Sequence, residues 1–376
     1  MCEYDAITVD TNIFESQQFN FDEGILQSLK QFSRFKSFDF VVSEIVFNEI
    51  EQHLLGSIKS AHLAYCKALG DYVFYGLEKT KTKQDIKELK KKDLLPFVRA
   101  KLSNFKSETA LKIISCDNIE MSSLMEMYFN TQAPFENNQN KKNEFPDAVA
   151  LISIENWAKE NNKKVLVVSK DNGWKNFCTS SEKLTYIDSL DKALSIANKS
   201  NKIIQDKIKE ILLDDKKSEG FWQQLEDEIS GFVPLFDLYI EADTNSGFIW
   251  EDDFSSIEYK DFEYLEDGEG NLEYYIVELD KANKEVFISF AVIYELEAFA
   301  EFSFYIHDER EKILMGETSK NKIIYVTKNI VVKAAYDENA ETLDFIEASV
   351  DSFDVKAYFD YILPDYDKDE DNYANV

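Results

Sequence analysis

Lys164-Val165-Leu166-Val167-Val168-Ser169 is a continuous apolar run of the type found where a parallel sheet is covered on both faces. Parallel strands need crossover connections, usually helices, so this run commits its surroundings to an alternation of strands and helices. The flanking sequence supplies one. Residues 5–10 read as a short buried strand ending in an acid, and Phe38-Asp39-Phe40-Val41-Val42 as a second, with Ser43 offering a helix N-cap. From about 44 to 130 the pattern is helical, broken by a lysine-rich stretch. Asn137 to Asn143 is polar loop. Phe145-Pro146-Asp147 then opens a helix running to about Lys159, with proline suited to its first turn. Leu184-Thr185-Tyr186-Ile187 reads as a further strand, and Ser189 starts another helix. The expected fold class is α/β, a doubly wound parallel sheet, for the first 198 residues.

Near residue 200 the texture changes. Residues 199–230 read as a helical linker. From 231 to 364 Tyr, Phe, Val and Ile alternate with acids, as in Leu272 to Leu279 and Lys284 to Tyr294. Turn signals fall at Asp267-Gly268-Glu269-Gly270-Asn271, at Asp280 to Lys284 and at Ser319-Lys320-Asn321. This predicts a second, acidic, mainly antiparallel β domain with one polar face, followed by a disordered acidic tail over 365–376. Charge divides the chain at the same place. Residues 1–200 hold 28 Asp and Glu against 26 Lys and Arg, whereas residues 201–376 hold 44 against 16, giving almost the whole net charge of −30. The second half therefore repels nucleic acid, and a polyanionic substrate has to meet the first.

With 44% apolar residues the chain can bury two cores. No run approaches the roughly 18 apolar residues of a membrane span, and the N-terminus lacks the basic and apolar regions of a secretory signal. The four cysteines (Cys2, Cys66, Cys116, Cys178) form no CxxC pair and read as reduced thiols, which places the protein in the cytoplasm. The three histidines have no ligand or triad spacing, so carboxylates have to carry the chemistry.

Four of them stand out. In an open α/β sheet, ligands bind beyond the carboxyl ends of the strands. Asp10 ends the first strand and Asp171 follows the strand ending at Ser169, so both project from one edge; each alone also reads as an ordinary loop or capping residue. With Ile45 at 0° on a helical wheel, Val46, Ile50 and Leu54 define an apolar face near 100–180°, and Glu49 falls near 40°, beside it. Glu44 lies on the opposite, solvated side. A carboxylate next to a core is costly unless paired or metal-bound, although a rim glutamate can extend into water. Asp147, in a first helical turn, is also accounted for by the helix dipole. Four acids with no histidine or thiolate specify a hard cation, Mg²⁺ or Mn²⁺.

Four blocks, Ile7-Thr8-Val9-Asp10-Thr11-Asn12, Ser43 to Ile50, Glu144-Phe145-Pro146-Asp147-Ala148 and Val168 to Trp174, resemble in order and placement a PIN-domain nuclease over about residues 1–195. The resemblance implies that Asp10, Glu49, Asp147 and Asp171 are catalytic residues holding one or two Mg²⁺ or Mn²⁺ ions, with Asn12 and Ser169 as supporting groups. Glu44 and Glu144 are the alternatives for the neighbouring ligands. It implies hydrolysis of phosphodiester bonds to a 5′-phosphate and a 3′-hydroxyl, in single-stranded RNA first and DNA second. The long segment between Glu49 and Asp147 implies a helical insertion at about 56–130. Lys141 and Lys142 stand next to the acidic block, and Lys87 and Lys91 lie in the basic stretch, as nucleic-acid contacts; a solvated helix face, helped by Asp85, Glu88 and Asp93, explains the stretch slightly better. Trp174 and Phe177 read as core residues or as base-stacking rings. The acidic half is not recognised as a member of a family. Its readings are a protein-docking module, a nucleic-acid mimic covering the active site, or a soluble scaffold, and family analogy suggests a toxin or phage-defence setting. A catalytically silent PIN-like protein working through its acidic domain is the rival function.

Overall fold

The computed structural model describes residues 3–34, 38–117, 119–135, 141–198, 202–244, 247–308, 311–337 and 341–365. Five parallel strands form the first sheet: β1 (Ala6–Val9), β2 (Asp39–Ser43), β3 (Lys112–Ile114), β4 (Val165–Val168) and β5 (Leu184–Ile187). Their order is β3-β2-β1-β4-β5. All four residues of β1 and of β4 are buried, as their unbroken apolar runs require. Chain order runs outward from β1 in one direction and from β4 in the other, so the topological switch point falls between β1 and β4. Register fixes what faces that crevice: Val9 pairs with Val168, and the Asp10 N–H donates to the Val168 carbonyl at 2.9 Å.

The connections are α1 (Thr11–Ser16), α2 (Gly24–Gln27), α3 (Glu44–Phe74), α4 (Lys83–Leu89), α5 (Leu95–Thr109), α6 (Met121–Asn130), α7 (Phe145–Glu160), α8 (Asn172–Thr179) and α9 (Leu190–Ala197). Ser43 caps α3 by accepting from the Val46 N–H at 3.1 Å. Val46, Ile50 and Leu54 are buried along that helix. The interval 56–130 is not helical throughout. Residues 112–114 pair in parallel with Val41–Ser43 and add the sheet's edge strand. Three residues are too few to show a period, and an edge strand with one exposed member lacks the apolar run that marks β1 and β4. At the opposite end of the sheet, Asp39 accepts from Lys112 at 2.6 Å and also from Lys163.

The chain divides into two compact units, Met1–Ile203 with Ile276–Glu278, and Ile204–Tyr275 with Leu279–Val376. The helices α10 (Lys202–Leu212) and α11 (Asp215–Gly231) cover most of the interval read as a linker, but from residue 204 it falls in the second unit. There Phe221 packs on Phe290 and Phe345, and the Tyr294 hydroxyl donates to the Ile229 carbonyl. The strands that follow are β6 (Asp237–Asp243), β7 (Ile249–Tyr264), β8 (Tyr274–Asp280), β9 (Glu285–Asp308), β10 (Glu311–Asp337), β11 (Thr342–Val350) and β12 (Asp354–Tyr361). The unit is mainly antiparallel, with β11, β10, β9 and β7 side by side. Along β9, Tyr294, Leu296, Ala298, Ala300, Phe302 and Phe304 are all buried, a clean two-residue period.

Two features depart from the sequence reading. Ser319-Lys320-Asn321 is not a turn: these residues pair with Glu301, Ala300 and Phe299 within the β9–β10 hairpin. They are polar because the strand is exposed there, and the Asn321 side chain donates to Glu297 at 2.9 Å. The second is that β6 and β12 pair in parallel, Asp237 with Asp354 and Ala357 with Ile240. Of the tail, Asp365 is described and the rest lies outside the described residues. Among the described residues no helix is long and apolar enough to cross a membrane, and Cys66, Cys116 and Cys178 are unpaired.

Candidate active site

Asp10 occupies the N-cap position of α1 at the end of β1, only 6% exposed. Its carboxylate accepts from the Ser169 hydroxyl at 2.6 Å and from the Asn12 amide at 2.5 Å. Ser169, fully buried at the end of β4, also accepts from the Asp171 N–H at 2.9 Å, and the Lys170 N–H donates to the Asn12 carbonyl oxygen. The two strand ends flanking the switch point are therefore tied together by Asp10, Asn12 and Ser169.

Asp171 is exposed and caps α8, its Oδ1 accepting from the Trp174 N–H at 3.0 Å. The local-capping role and the projection from the sheet edge coexist in this one residue. Asp147 lies in the first turn of α7 and accepts from the Trp174 indole at 2.8 Å. The turn is anchored by Phe145, stacked on Tyr128 with centroids 4.8 Å apart and edge-on to Phe135. Glu49, on the half-buried flank of α3, accepts from the Thr11 hydroxyl at 2.9 Å. Glu44 is exposed, whereas Glu144 is half-buried at the N-cap position of α7.

The electrostatics link these acids. Burial, with Asp147 and Asp171 adding like charge, pushes the Asp10 carboxyl up to about 7 against the hydrogen bond from Ser169. Burial likewise pushes Asp147 up to about 6, opposed by Trp174 and reinforced by Asp171, Glu49 and Glu144. Asp10, Asp147 and Asp171 thus interact as one group, with Glu49 and Glu144 joined to it through Asp147. Among the described residues no three Asp, Glu, His or Cys side chains are grouped to hold a metal ion as they stand. The acids lean instead on Ser169, Asn12, Thr11 and Trp174. The donor set is oxygen throughout, which fits a hard divalent cation, and a bound cation would offset both the burial and the like charge that raise Asp10 and Asp147.

Of the basic residues singled out in the sequence, Lys142 is exposed two positions before Glu144, and the side chain of Lys141 lies outside the described residues. Lys87 and Lys91 are exposed on and just beyond α4. Trp174 and Phe177 are buried and serve the core. Three contributors escaped the sequence reading. Thr11 holds Glu49, and Trp174 holds Asp147. Gly173 is the third: a Cβ there would stand 2.9 Å from Asp171 Oδ1 and 3.0 Å from the Pro134 carbonyl oxygen. A glycine one residue before the tryptophan was the only local signal, and its neighbour Pro134 is distant in sequence.

The comparison with curated proteins found no match for the chain. The PIN domain model, in contrast, matches residues 7–174, spanning all four acidic blocks. PIN domains are generally nucleases, and PIN nucleases bind nucleic acid and generally use divalent metals. On that match and on its parallel sheet with flanking helices, the N-terminal unit is a PIN-like domain.

Proposed function

We propose that the N-terminal domain is a metal-dependent endonuclease for single-stranded RNA, with Asp10, Glu49, Asp147 and Asp171 as its catalytic, metal-holding acids. The observation that carries this reading is the gathering of acids at the β1/β4 switch point, where buried Asp10 feels the like charge of half-buried Asp147 and exposed Asp171. Such a group is costly by itself and is worth keeping where a cation is to be held. Bound Mg²⁺ or Mn²⁺ would neutralise the scissile phosphate and activate a water. The chain's own part is positioning. Ser169 and Asn12 orient Asp10, Trp174 orients Asp147, Thr11 orients Glu49, and Glu144 adds negative charge beside Asp147. Lys142, exposed just before α7, and Lys141 preceding it in sequence are proposed to meet the substrate phosphate. The protein acts in the cytoplasm, and the acidic unit docks a protein partner.

The test is cleavage of end-labelled single-stranded RNA and DNA oligonucleotides with Mn²⁺, comparing wild type with Asp10→Asn and Asp147→Asn. The proposal expects metal-dependent cutting of RNA that either substitution reduces at least about a hundredfold. Preference for DNA would reassign the substrate. Failure of the wild type to cut either polymer with any divalent metal would sink the enzyme reading.

A further inference from the structure

The helix α3 has two different halves. Its first three turns bury Val46, Ile50 and Leu54, and Glu49 lies among them. The same stripe continues at helical spacing as Tyr65 and Tyr72, seven residues apart, yet these are 58% and 57% exposed. Phe74 and Tyr75 at the helix end are more exposed still. Four aromatic rings in water on one helix end need a reason, since a lone exposed apolar residue is ordinary but a group is not.

The segment that folds back on this half is the basic one. Ile86 of α4 is buried, and His62 on α3 hydrogen-bonds the Leu89 carbonyl at 2.8 Å. Residues 79–92 hold seven lysines against two acids. Asp85 feels the charge of Lys81, but among the described residues neither acid forms a salt bridge with a lysine of the segment. Asp85 is taken up by the capping box of α4, accepting from the Thr82 N–H at 2.7 Å, and Glu88 accepts from Gln84 at 2.9 Å. Among the described residues Lys79, Lys83, Lys87, Lys90, Lys91 and Lys92 make no ion pair. Lys83 and Lys87 on α4, with Lys79, Lys90, Lys91 and Lys92 flanking it, leave their cations open in a segment that His62 ties to the distal half of α3.

We propose that the distal half of α3 and the segment 79–92 form an arm that binds single-stranded nucleic acid, with Tyr65 and Tyr72 stacking bases and the lysines taking phosphates. Exposed rings with open lysines match the chemistry of a single strand, whose bases present faces for stacking, whereas a duplex hides them. At about 1.5 Å per residue, Tyr72 lies roughly 35 Å along the helix from Glu49, so the arm would extend substrate contact well past the scissile bond. The inference rests on the nuclease proposal for its purpose, though not for its chemistry.

The experiment measures binding alone, by fluorescence anisotropy of a labelled oligouridylate long enough to span α3, using the full chain without divalent metal. Tyr65→Ala/Tyr72→Ala should weaken binding at least about tenfold. Lys87→Ala/Lys90→Ala/Lys91→Ala should lower the slope of log K against log salt by about 2. All these positions are exposed, and circular dichroism checks that the variants fold. Wild-type affinity in both variants overturns the arm. So does a change in sedimentation of the tyrosine variant without RNA, which would mark the rings as a protein contact. If binding follows the proposal while Mn²⁺ elicits no cleavage, the nuclease reading fails and the arm stands; cleavage with unchanged binding gives the reverse.

Discussion

Trp174 donates its indole N–H to the carboxylate of Asp147 at 2.8 Å, so a buried ring on α8 positions an acid on α7. Trp174→Phe removes the donor and the pyrrole half of the indole while keeping an aromatic six-membered ring. It should cost about 1–3 kcal/mol of stability and weaken Mn²⁺ binding by about 10- to 100-fold. Titration calorimetry with Mn²⁺ checks this, and an unchanged affinity would show that the indole does not position Asp147.

Asp10 predicts an unusual stability profile. Its folded-state pKa of about 7 lies above the ordinary 3.8, so the folded protein holds the proton more tightly than the unfolded chain. Stability is therefore unpenalised below about pH 4, falls as pH rises towards 7, and stays reduced above it. Asp147, raised to about 6, acts in the same direction. In metal-free protein Asp10→Asn should raise Tm at pH 8, with an upper bound of about 4 kcal/mol on the gain, and the gain should vanish near pH 4. Scanning fluorimetry at the two pH values decides it; equal gains at both would remove the charge explanation.

Mn²⁺ should reverse that penalty. At a hundred times its pH 8 dissociation constant it should stabilise the protein by about 2.7 kcal/mol at pH 8, and the same concentration should stabilise it less at pH 5 because the ligands have to be ionised. Asp10→Asn and Asp147→Asn should abolish the Tm increase. A persisting shift in both variants places the metal elsewhere.

Gly173→Ala brings a Cβ to 2.9 Å from Asp171 Oδ1 and against the Pro134 backbone. The carboxylate is the softer of the two, so Asp171 should move. Expected are a stability loss of about 1–3 kcal/mol and a drop in cleavage larger than that loss explains at a temperature where the variant is folded. Activity retained in full would show that Asp171 tolerates displacement.

Asp39 supplies the opposite pH signature. Burial opposes its ionisation, but Lys112 and Lys163 outweigh burial and hold it below the usual carboxylate range. This contribution is present above about pH 4 and is lost as pH falls through the lowered value. Asp39→Asn should destabilise by about 1–2 kcal/mol at pH 7, the difference disappearing on acidification. Denaturant melts at the two extremes test the sign.

These sites were legible in the sequence to different degrees, for physical reasons. The strands β1 and β4 announced themselves because double burial demands unbroken apolar runs, and the acid at each strand end follows from the sheet rule. Glu49 could be placed because a helix converts spacing into direction. The edge strand β3 could not, since three residues carry no period. Gly173 and Pro134, or Thr11 and Glu49, meet only through tertiary folding, and no local pattern encodes such a meeting. The polar stretch Ser319-Lys320-Asn321 misled because a long exposed hairpin strand tolerates the residues that elsewhere make turns.

Asp243 and Tyr358, joined by a hydrogen bond across 115 residues, belong to the parallel pair β6 and β12. During synthesis β6 emerges early and waits, its edge unsatisfied, while the whole β9–β10 hairpin is made. Only when β12 leaves the ribosome does β6 gain its partner. The N-terminal domain, its five strands complete by residue 187, faces no such delay. A nascent chain therefore carries a completed parallel sheet attached to an open-edged acidic unit, and the interval in which a strand-donating stranger could pair with β6 is set by translation rate.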